Sequence, residues 1–146
     1  MSGRGWLATG AVLAGLGVAL GALAAHGLDG VFAGKYAGQT RVVTGVTVPA
    51  AAKYLADFKT GAEYQLWHAL AILAVGLSLR NRASTLLHAA GWCFLLGTLV
   101  FSGCLYALTL TGLRWLGAIV PIGGVLFLVG WLLFALAQWG GEASRE

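Results

Sequence analysis

The chain has 146 residues, of which 59% are apolar and only 10% charged, with a net charge of +4. Soluble domains carry about a quarter charged residues, so a chain this poor in charge cannot cover its surface against water, and lipid is the expected solvent. The basic residues are scattered singly, which excludes the clustered basic face of a nucleic-acid-binding protein. We therefore expect one integral membrane domain over residues 1–146, with the lipid bilayer as its partner and no nucleic acid.

The first apolar segment predicts a membrane span over about residues 6–27, since it lacks Asp, Glu, Lys and Arg. It resembles a signal peptide, but its apolar stretch is too long for one, and we expect it to be retained. Small residues occur at helical spacing on two faces, one with Gly10, Ala14, Gly17, Gly21 and Ala24, the other with Gly15, Ala19, Ala22 and His26. Helices approach closely where side chains are small, so span one is predicted to be sandwiched between neighbours.

A long connection, residues 28–60, follows the first span. Residues 41–48 are rich in β-branched side chains, which favours a locally extended backbone. Pro49 suits the first turn of a helix, and residues 50–58 place apolar and charged side chains on different faces. We predict a short amphipathic helix there, lying on the membrane surface.

The remaining three spans are predicted over about residues 62–79, 85–110 and 115–138. Thr60 and Glu63 have the spacing of a capping box, which marks the start of span two. The turns between these spans are short, so neighbouring spans are antiparallel. The fold class predicted is therefore all-α, an integral membrane four-helix bundle with one interfacial helix in the first loop.

Pro121 falls early in span four and is followed by Gly123 and Gly124. Proline lacks an N–H and its ring clashes with the preceding turn, so we predict a kink there. At the opposite end of the bundle, His88 lies close to Arg82 and is predicted to be a solvated interfacial residue.

Six polar side chains are predicted at the same end of the bundle, beneath the long loop: His26, Tyr64, Gln65, His68, Ser102 and Tyr106. Polar groups in lipid are costly, so each needs a partner. One interpretation is an interhelical hydrogen-bond network that joins spans one, two and three. Another is a ligand site for a metal, a haem or a lipid headgroup at His26 and His68, and a third is catalysis. Buried zinc takes three or four ligands, and two histidines are too few, so no metal and no cofactor are predicted.

Four ordered groups of residues resemble the YgdD-like family of small inner-membrane proteins, which has small eukaryotic transmembrane relatives. They are Ala25-His26-Gly27; Tyr64-Gln65 with His68-Ala69-Leu70; Phe101-Ser102-Gly103 with Leu105-Tyr106; and Arg114-Trp115-Leu116-Gly117 with Pro121-Ile122-Gly123-Gly124. The resemblance implies four helices and residence in the bacterial inner (plasma) membrane, and it implies no activity. This chain departs from the family pattern at residues 36–49, which look like an insertion.

The leading functional hypothesis is a non-enzymatic membrane component: an accessory or assembly factor, or a homo-oligomer, with a membrane-protein partner. It depends on the small-residue faces of span one and on the lack of a recognisable catalytic set. One alternative is a small transporter or channel for protons or a small solute, suggested by the polar side chains and the Pro121 kink. The other alternative is the ligand site at His26 and His68.

Overall fold

The computed structural model describes residues 1–139, which form helices and one β-hairpin joined by short connections. The elements in chain order are α1 (Gly3–His26), α2 (Leu28–Lys35), β1 (Thr40–Val43), β2 (Val46–Pro49), α3 (Ala50–Asn81), α4 (Thr85–Thr111), a 3-10 helix (Arg114–Ala118) and α5 (Val120–Trp139). Three segments are long and apolar enough to cross a membrane: α1, α4, and the 3-10 helix together with α5. The predicted all-α class is confirmed.

The α3 helix is the largest departure from the sequence prediction. It runs without a break for 32 residues, about 48 Å at 1.5 Å per residue. The predicted interfacial helix at residues 50–58 is therefore not a separate element, and Thr60 and Glu63 lie inside α3 and do not cap it. The capping-box prediction is wrong because no proline interrupts the segment after Pro49, where the helix begins, so nothing forces a second start.

The first connection is structured, not an open loop. After α2, strands β1 and β2 form an antiparallel hairpin in which Arg41 pairs with Val48. The turn between them holds Thr44 at φ 47° and Gly45 at φ 83°, the two left-handed positions of a tight hairpin turn. The extended backbone predicted for this segment is present.

The long helices pack in chain order, α1 on α3, α3 on α4 and α4 on α5. Glycines set the close approach of α1 to α3. A Cβ at Gly10 would lie 2.9 Å from the Ala69 carbonyl oxygen, and one at Gly17 would lie 3.6 Å from that of Ala62. Rising residue numbers on α1 therefore meet falling residue numbers on α3, so the two helices are antiparallel.

The α1 helix lies at the edge of this assembly, so the predicted sandwiching is wrong. Its buried residues form a single stripe, Trp6, Gly10, Gly17 and Ala24. On the other small face, a Cβ added at Gly15 would meet nothing within 4 Å, and Ala19 and Ala22 are exposed. Only one of the two small faces of α1 is used within the chain.

Pro121 does not kink a continuous helix. The 3-10 helix ends at Ala118, and α5 begins at Val120. Pro121 is thus in the first turn of α5, where a missing N–H costs no intrahelical hydrogen bond. The break between the two helices comes before the proline, at Ile119.

Two apolar clusters divide the buried residues between the ends of the molecule. The first joins the four long helices and contains Trp6, Ala71, Ile72, Val75, Leu87, Ala90, Phe94, Phe127 and Ala137. The second contains Ala24, Leu28, Phe32, Tyr36, Ala50, Tyr54, Phe58 and Leu108. We call α2, the hairpin and residues 50–60 of α3 the cap, because they pack together over the end of α4.

Candidate functional site

Gln65 ties three helices together. Its side chain is buried on α3, and its Nε2 donates a hydrogen bond of 2.9 Å to the Leu13 carbonyl oxygen of α1. The hydroxyl of Tyr106 on α4 donates to its Oε1 at 3.0 Å. The amide therefore uses both its donor and its acceptor in the interior, which is the interhelical network that one interpretation of the sequence expected for these two residues.

His68 lies about one turn further along α3 and is also buried. Its Nδ1 is 2.8 Å from the Tyr64 carbonyl oxygen, and the indole N–H of Trp131 on α5 donates to its Nε2 at 3.3 Å. A carbonyl only accepts, so Nδ1 carries the proton and Nε2 is bare, and these partners fit a neutral imidazole. The ring stacks on Phe127, with centroids 3.4 Å apart and planes inclined by 8°. His68 thus joins α3 to α5.

His26 does not share a site with His68. It is exposed at the last residue of α1, nine residues beyond Gly17, which faces Ala62. The antiparallel register puts His26 level with about residue 53 of α3, roughly 20 Å along the axis from His68. The two histidines cannot hold one metal or haem in this arrangement. Within residues 1–139, no group of three or more His, Cys, Asp and Glu side chains has metal-binding geometry.

Ser102 and Tyr64 complete the predicted set. Ser102 is 1% exposed, and its Oγ has no hydrogen-bond partner within the described part of the chain, whereas Thr98 and Thr109 on the same helix bond to carbonyls of their own turns. The Tyr64 ring stacks on Phe101, with centroids 4.7 Å apart. The structure brings Gln65 and Tyr106 together and Tyr64 and His68 together; a ligand-binding role for the six residues stays a prediction.

Trp6 and Trp131 are polar partners that the sequence interpretation missed. Trp6 is fully buried, and its indole N–H donates to His88 Nδ1 at 3.1 Å. The prediction of a solvated His88 is therefore wrong, since it is half-buried and accepts a hydrogen bond from α1. A buried indole N–H needs an acceptor. A tryptophan on one apolar helix and a histidine on a neighbouring one are therefore the sequence signal that indicates such a hydrogen-bonded pair.

The cap satisfies the C-terminal carbonyls of α4. The hydroxyl of Tyr36 donates to the Thr109 carbonyl oxygen at 2.7 Å, and the ammonium of Lys35 donates to that of Leu110. The last carbonyls of a helix lack intrahelical donors and carry partial negative charge, so both contacts stabilise this end. Burial raises the pKa of the Tyr36 phenol, Tyr54 adds to the rise and Arg41 opposes it.

Arg41 fastens the hairpin to α3. Its guanidinium donates two hydrogen bonds to the Tyr54 hydroxyl, of 3.1 and 2.9 Å, and lies 5.3 Å from the centroid of that ring. The Tyr54 ring in turn packs on Tyr36, with centroids 4.5 Å apart. The hairpin, α2 and α3 therefore share one aromatic centre.

A lateral cleft with a volume of about 530 Å³ opens between α3 and α5. It is lined by Tyr64, Trp67, His68, Phe101, Pro121, Gly124, Val125, Phe127, Leu128 and Trp131. Trp67, Val125, Leu128 and Trp131 are largely exposed, so the cleft opens on the outside of the helix assembly.

Long apolar helices whose outer faces are exposed, and which interior hydrogen bonds hold together, define a multi-pass membrane protein. The chain belongs to the family described as protein of unknown function (DUF423), whose profile matches residues 20–124. The membrane-protein family character that the four groups of residues implied is thus confirmed.

Three relatives illustrate the similarity, and each is described as a UPF0382 membrane protein. The chain is 38% identical over 128 residues to one from Staphylococcus epidermidis, covering 88% of this chain and 89% of the relative. It is 42% identical over 127 residues to one from Haemophilus influenzae, with 86% of each chain covered. It is 37% identical over 130 residues to YwdK of Bacillus subtilis, covering 88% and 90%. No solved structure matches the chain.

Proposed function

We propose that this protein is a non-enzymatic component of the bacterial inner (plasma) membrane, a four-helix unit that assembles through α1 with a second copy of itself. The observation that carries this proposal is the exposed small-residue face of α1, formed by Gly15, Ala19 and Ala22. Gly15 and Ala19 are four residues apart, the spacing at which small residues let two membrane helices approach closely.

The register of α3 supports a four-span unit, although α3 itself carries charged residues in its first half. Residues 62–79 of α3 lie antiparallel against α1, with Gly76 beside Leu7 and Ala62 beside Gly17. If α1 crosses the bilayer, the stretch of α3 packed along it crosses too. Its first turns then extend into the headgroup region, because about 20 residues suffice for the hydrocarbon core.

The interior polar groups support a structural role over transport. Gln65 has both ends of its amide bonded to the protein, and His68 has a partner at each ring nitrogen. Groups that carry protons or solutes need free donors or acceptors along a path, whereas these hold helices together.

The association is tested by counting copies of a fluorescently labelled chain in native-membrane nanodiscs by single-molecule photobleaching. We expect two copies for the wild type and one for Gly15→Leu, since a bulky side chain separates the helices. A Cβ at Gly15 meets nothing within the chain, so this variant keeps its fold.

Gly103→Leu is the matched control, since a Cβ at Gly103 on α4 also meets nothing within 4 Å. It should remain dimeric. A wild type that photobleaches in a single step, or a Gly15→Leu variant that stays dimeric, contradicts the proposal.

A further inference from the structure

We propose that the lateral cleft binds an uncharged, lipid-soluble molecule with a flat conjugated ring and a carbonyl oxygen, the chemistry of a quinone. Its volume of about 530 Å³ lies within the range of small-molecule sites. The cleft is separate from the α1 face described above, so this proposal is independent of self-association.

The lining selects for rings. Of the ten lining residues, six carry aromatic or imidazole rings: Tyr64, Trp67, His68, Phe101, Phe127 and Trp131. They sit around a stacked pair, His68 on Phe127, and Tyr64 stacks on Phe101 beside it. Flat rings pack on such surfaces by offset stacking or edge contacts, which adds to the energy of apolar burial.

The lining also selects against charge. None of the ten residues is Asp, Glu, Lys or Arg, and His68 is held by partners that fit the neutral ring. A charged ligand in such a wall would lose its hydration without gaining a counter-ion, which is costly. An uncharged occupant is therefore expected.

Two of the residues that line the cleft carry hydrogen-bond donors that bond to no described residue, namely the Tyr64 hydroxyl and the Trp67 indole N–H. The indole N–H of Trp131, by contrast, donates to His68. Donors without acceptors are unfavourable in a lipid environment. A carbonyl oxygen on the ligand supplies the missing acceptor.

Access is from the side of the helix assembly. Leu128 is 72% exposed and Trp67 52% exposed at the outer rim of the cleft. On a membrane protein these outer faces contact lipid, so the ligand enters from the bilayer in which it is dissolved. The rim runs from Pro121 at the start of α5 to Trp131, ten residues or about 15 Å further along. The length of the cleft along α5 suits a molecule that has a ring near the membrane interface and an apolar tail.

Gly124 is the position at which a larger side chain fills the cleft without disturbing the fold. It lines the cleft, and a Cβ added there would meet nothing within 4 Å. Gly124→Leu therefore fills the site that the ligand needs, while Gly103→Leu adds the same side chain at an equally open position outside it.

The test is a titration of the protein in lipid nanodiscs with decylubiquinone, followed by quenching of tryptophan fluorescence. We expect saturable quenching for the wild type and for Gly103→Leu, and an apparent Kd raised about tenfold or more for Gly124→Leu. Tyr64→Phe keeps the ring and removes only the donor, so a rise of several-fold is expected there. Thermal unfolding of each variant checks the fold.

Quenching that rises linearly without saturation in the wild type overturns the proposal, as does an unchanged Kd in both Gly124→Leu and Tyr64→Phe. Dodecanol, which has a chain and a hydroxyl but no ring, is the competitor. If it displaces the quinone at equal concentration, the cleft is a plain acyl-chain groove and ring recognition is wrong. A negative result in these quinone titrations has no bearing on the photobleaching test of the dimer.

Discussion

The cap and the four long helices are built for different surroundings. In the cap, an apolar cluster that includes Phe32, Tyr54 and Phe58 is accompanied by two charged side chains, Lys35 and Arg41, which donate hydrogen bonds to protein oxygens. The outer long helices, α1 and α5, instead bury mainly glycine and alanine, with one large aromatic side chain each, and leave their other large apolar side chains outside. One chain thus follows the packing rules of water at one end and those of lipid along its helices.

The difference lies in what drives burial. Apolar area removed from water stabilises the cap, whereas apolar side chains gain little by leaving lipid for a helix interface. The long helices therefore depend on close approach at glycine and on a few interior hydrogen bonds. Substitutions in the two regions should therefore lower stability for different reasons.

Gly123→Ala should destabilise the helix assembly by about 2 kcal/mol, because a Cβ at Gly123 would lie 2.6 Å from the Phe101 backbone nitrogen. The neighbouring Gly124→Ala is the control and should change stability by less than about 0.5 kcal/mol, since its Cβ meets nothing within 4 Å. Reversible unfolding in mixed micelles with increasing SDS measures both. Equal losses at the two positions would show that close approach of α4 and α5 is not what stabilises the assembly.

Gln65→Leu should lower the free energy of unfolding by about 1–2 kcal/mol, since it removes the bonds to Leu13 and Tyr106 and leaves the Tyr106 hydroxyl without its acceptor. A double-mutant cycle with Tyr106→Phe isolates the pair, and we expect a coupling energy of about 0.6–1.7 kcal/mol. Strictly additive effects would mean that the hydrogen bond between these two side chains contributes nothing.

Tyr36→Phe should loosen the cap and leave the long helices intact. It deletes only the hydroxyl that bonds to the Thr109 carbonyl oxygen, a loss of about 0.5–1.5 kcal/mol. Hydrogen exchange followed by mass spectrometry should show faster exchange in α2 and at the end of α4, with α1 unchanged. Faster exchange throughout the chain would contradict the division into two regions.

Raising the pH should weaken docking of the cap. Burial holds the pKa of Tyr36 above its ordinary value of about 10, so the docked state keeps the phenol proton that the undocked state loses. The contribution of Tyr36 is therefore complete below about pH 10 and declines as the pH rises through the raised pKa. Tyrosinate absorbance of the wild type minus that of Tyr36→Phe should titrate later than a free tyrosine. A difference curve at the ordinary value contradicts the buried docked phenol.

The sequence predicted the long apolar helices well because length and lack of charge are local properties. It also indicated that the turns between the last three spans are short, and the structure has them at residues 82–84 and 112–113. The extended segment expected in the first connection became the hairpin. The cap could not be predicted, since the bonds of Lys35 and Tyr36 to α4 join residues more than 70 positions apart. Nothing in the local pattern of either segment indicates the other.

One misplaced helix start explains most of the error at the polar site. Starting span two at Thr60 placed Gln65 and His68 level with His26 at the end of span one. Because α3 begins at Ala50, ten residues earlier, His26 lies instead beside the cap. The expected proximity of Gln65 and Tyr106 does not depend on where α3 begins. Both residues belong to the antiparallel helices α3 and α4, and the short turn between these helices fixes their register.

The bonds of Lys35 and Tyr36 to the end of α4 also have a consequence for biosynthesis. Each long helix packs on the one made before it, so α1, α3 and α4 can associate in the order in which they leave the ribosome. The acceptor of Tyr36, however, lies 73 residues downstream, at Thr109. The cap therefore cannot form its hydrogen bonds to α4 until α4 has been inserted. A fully bonded cap marks the point in synthesis at which the first three long helices are in place.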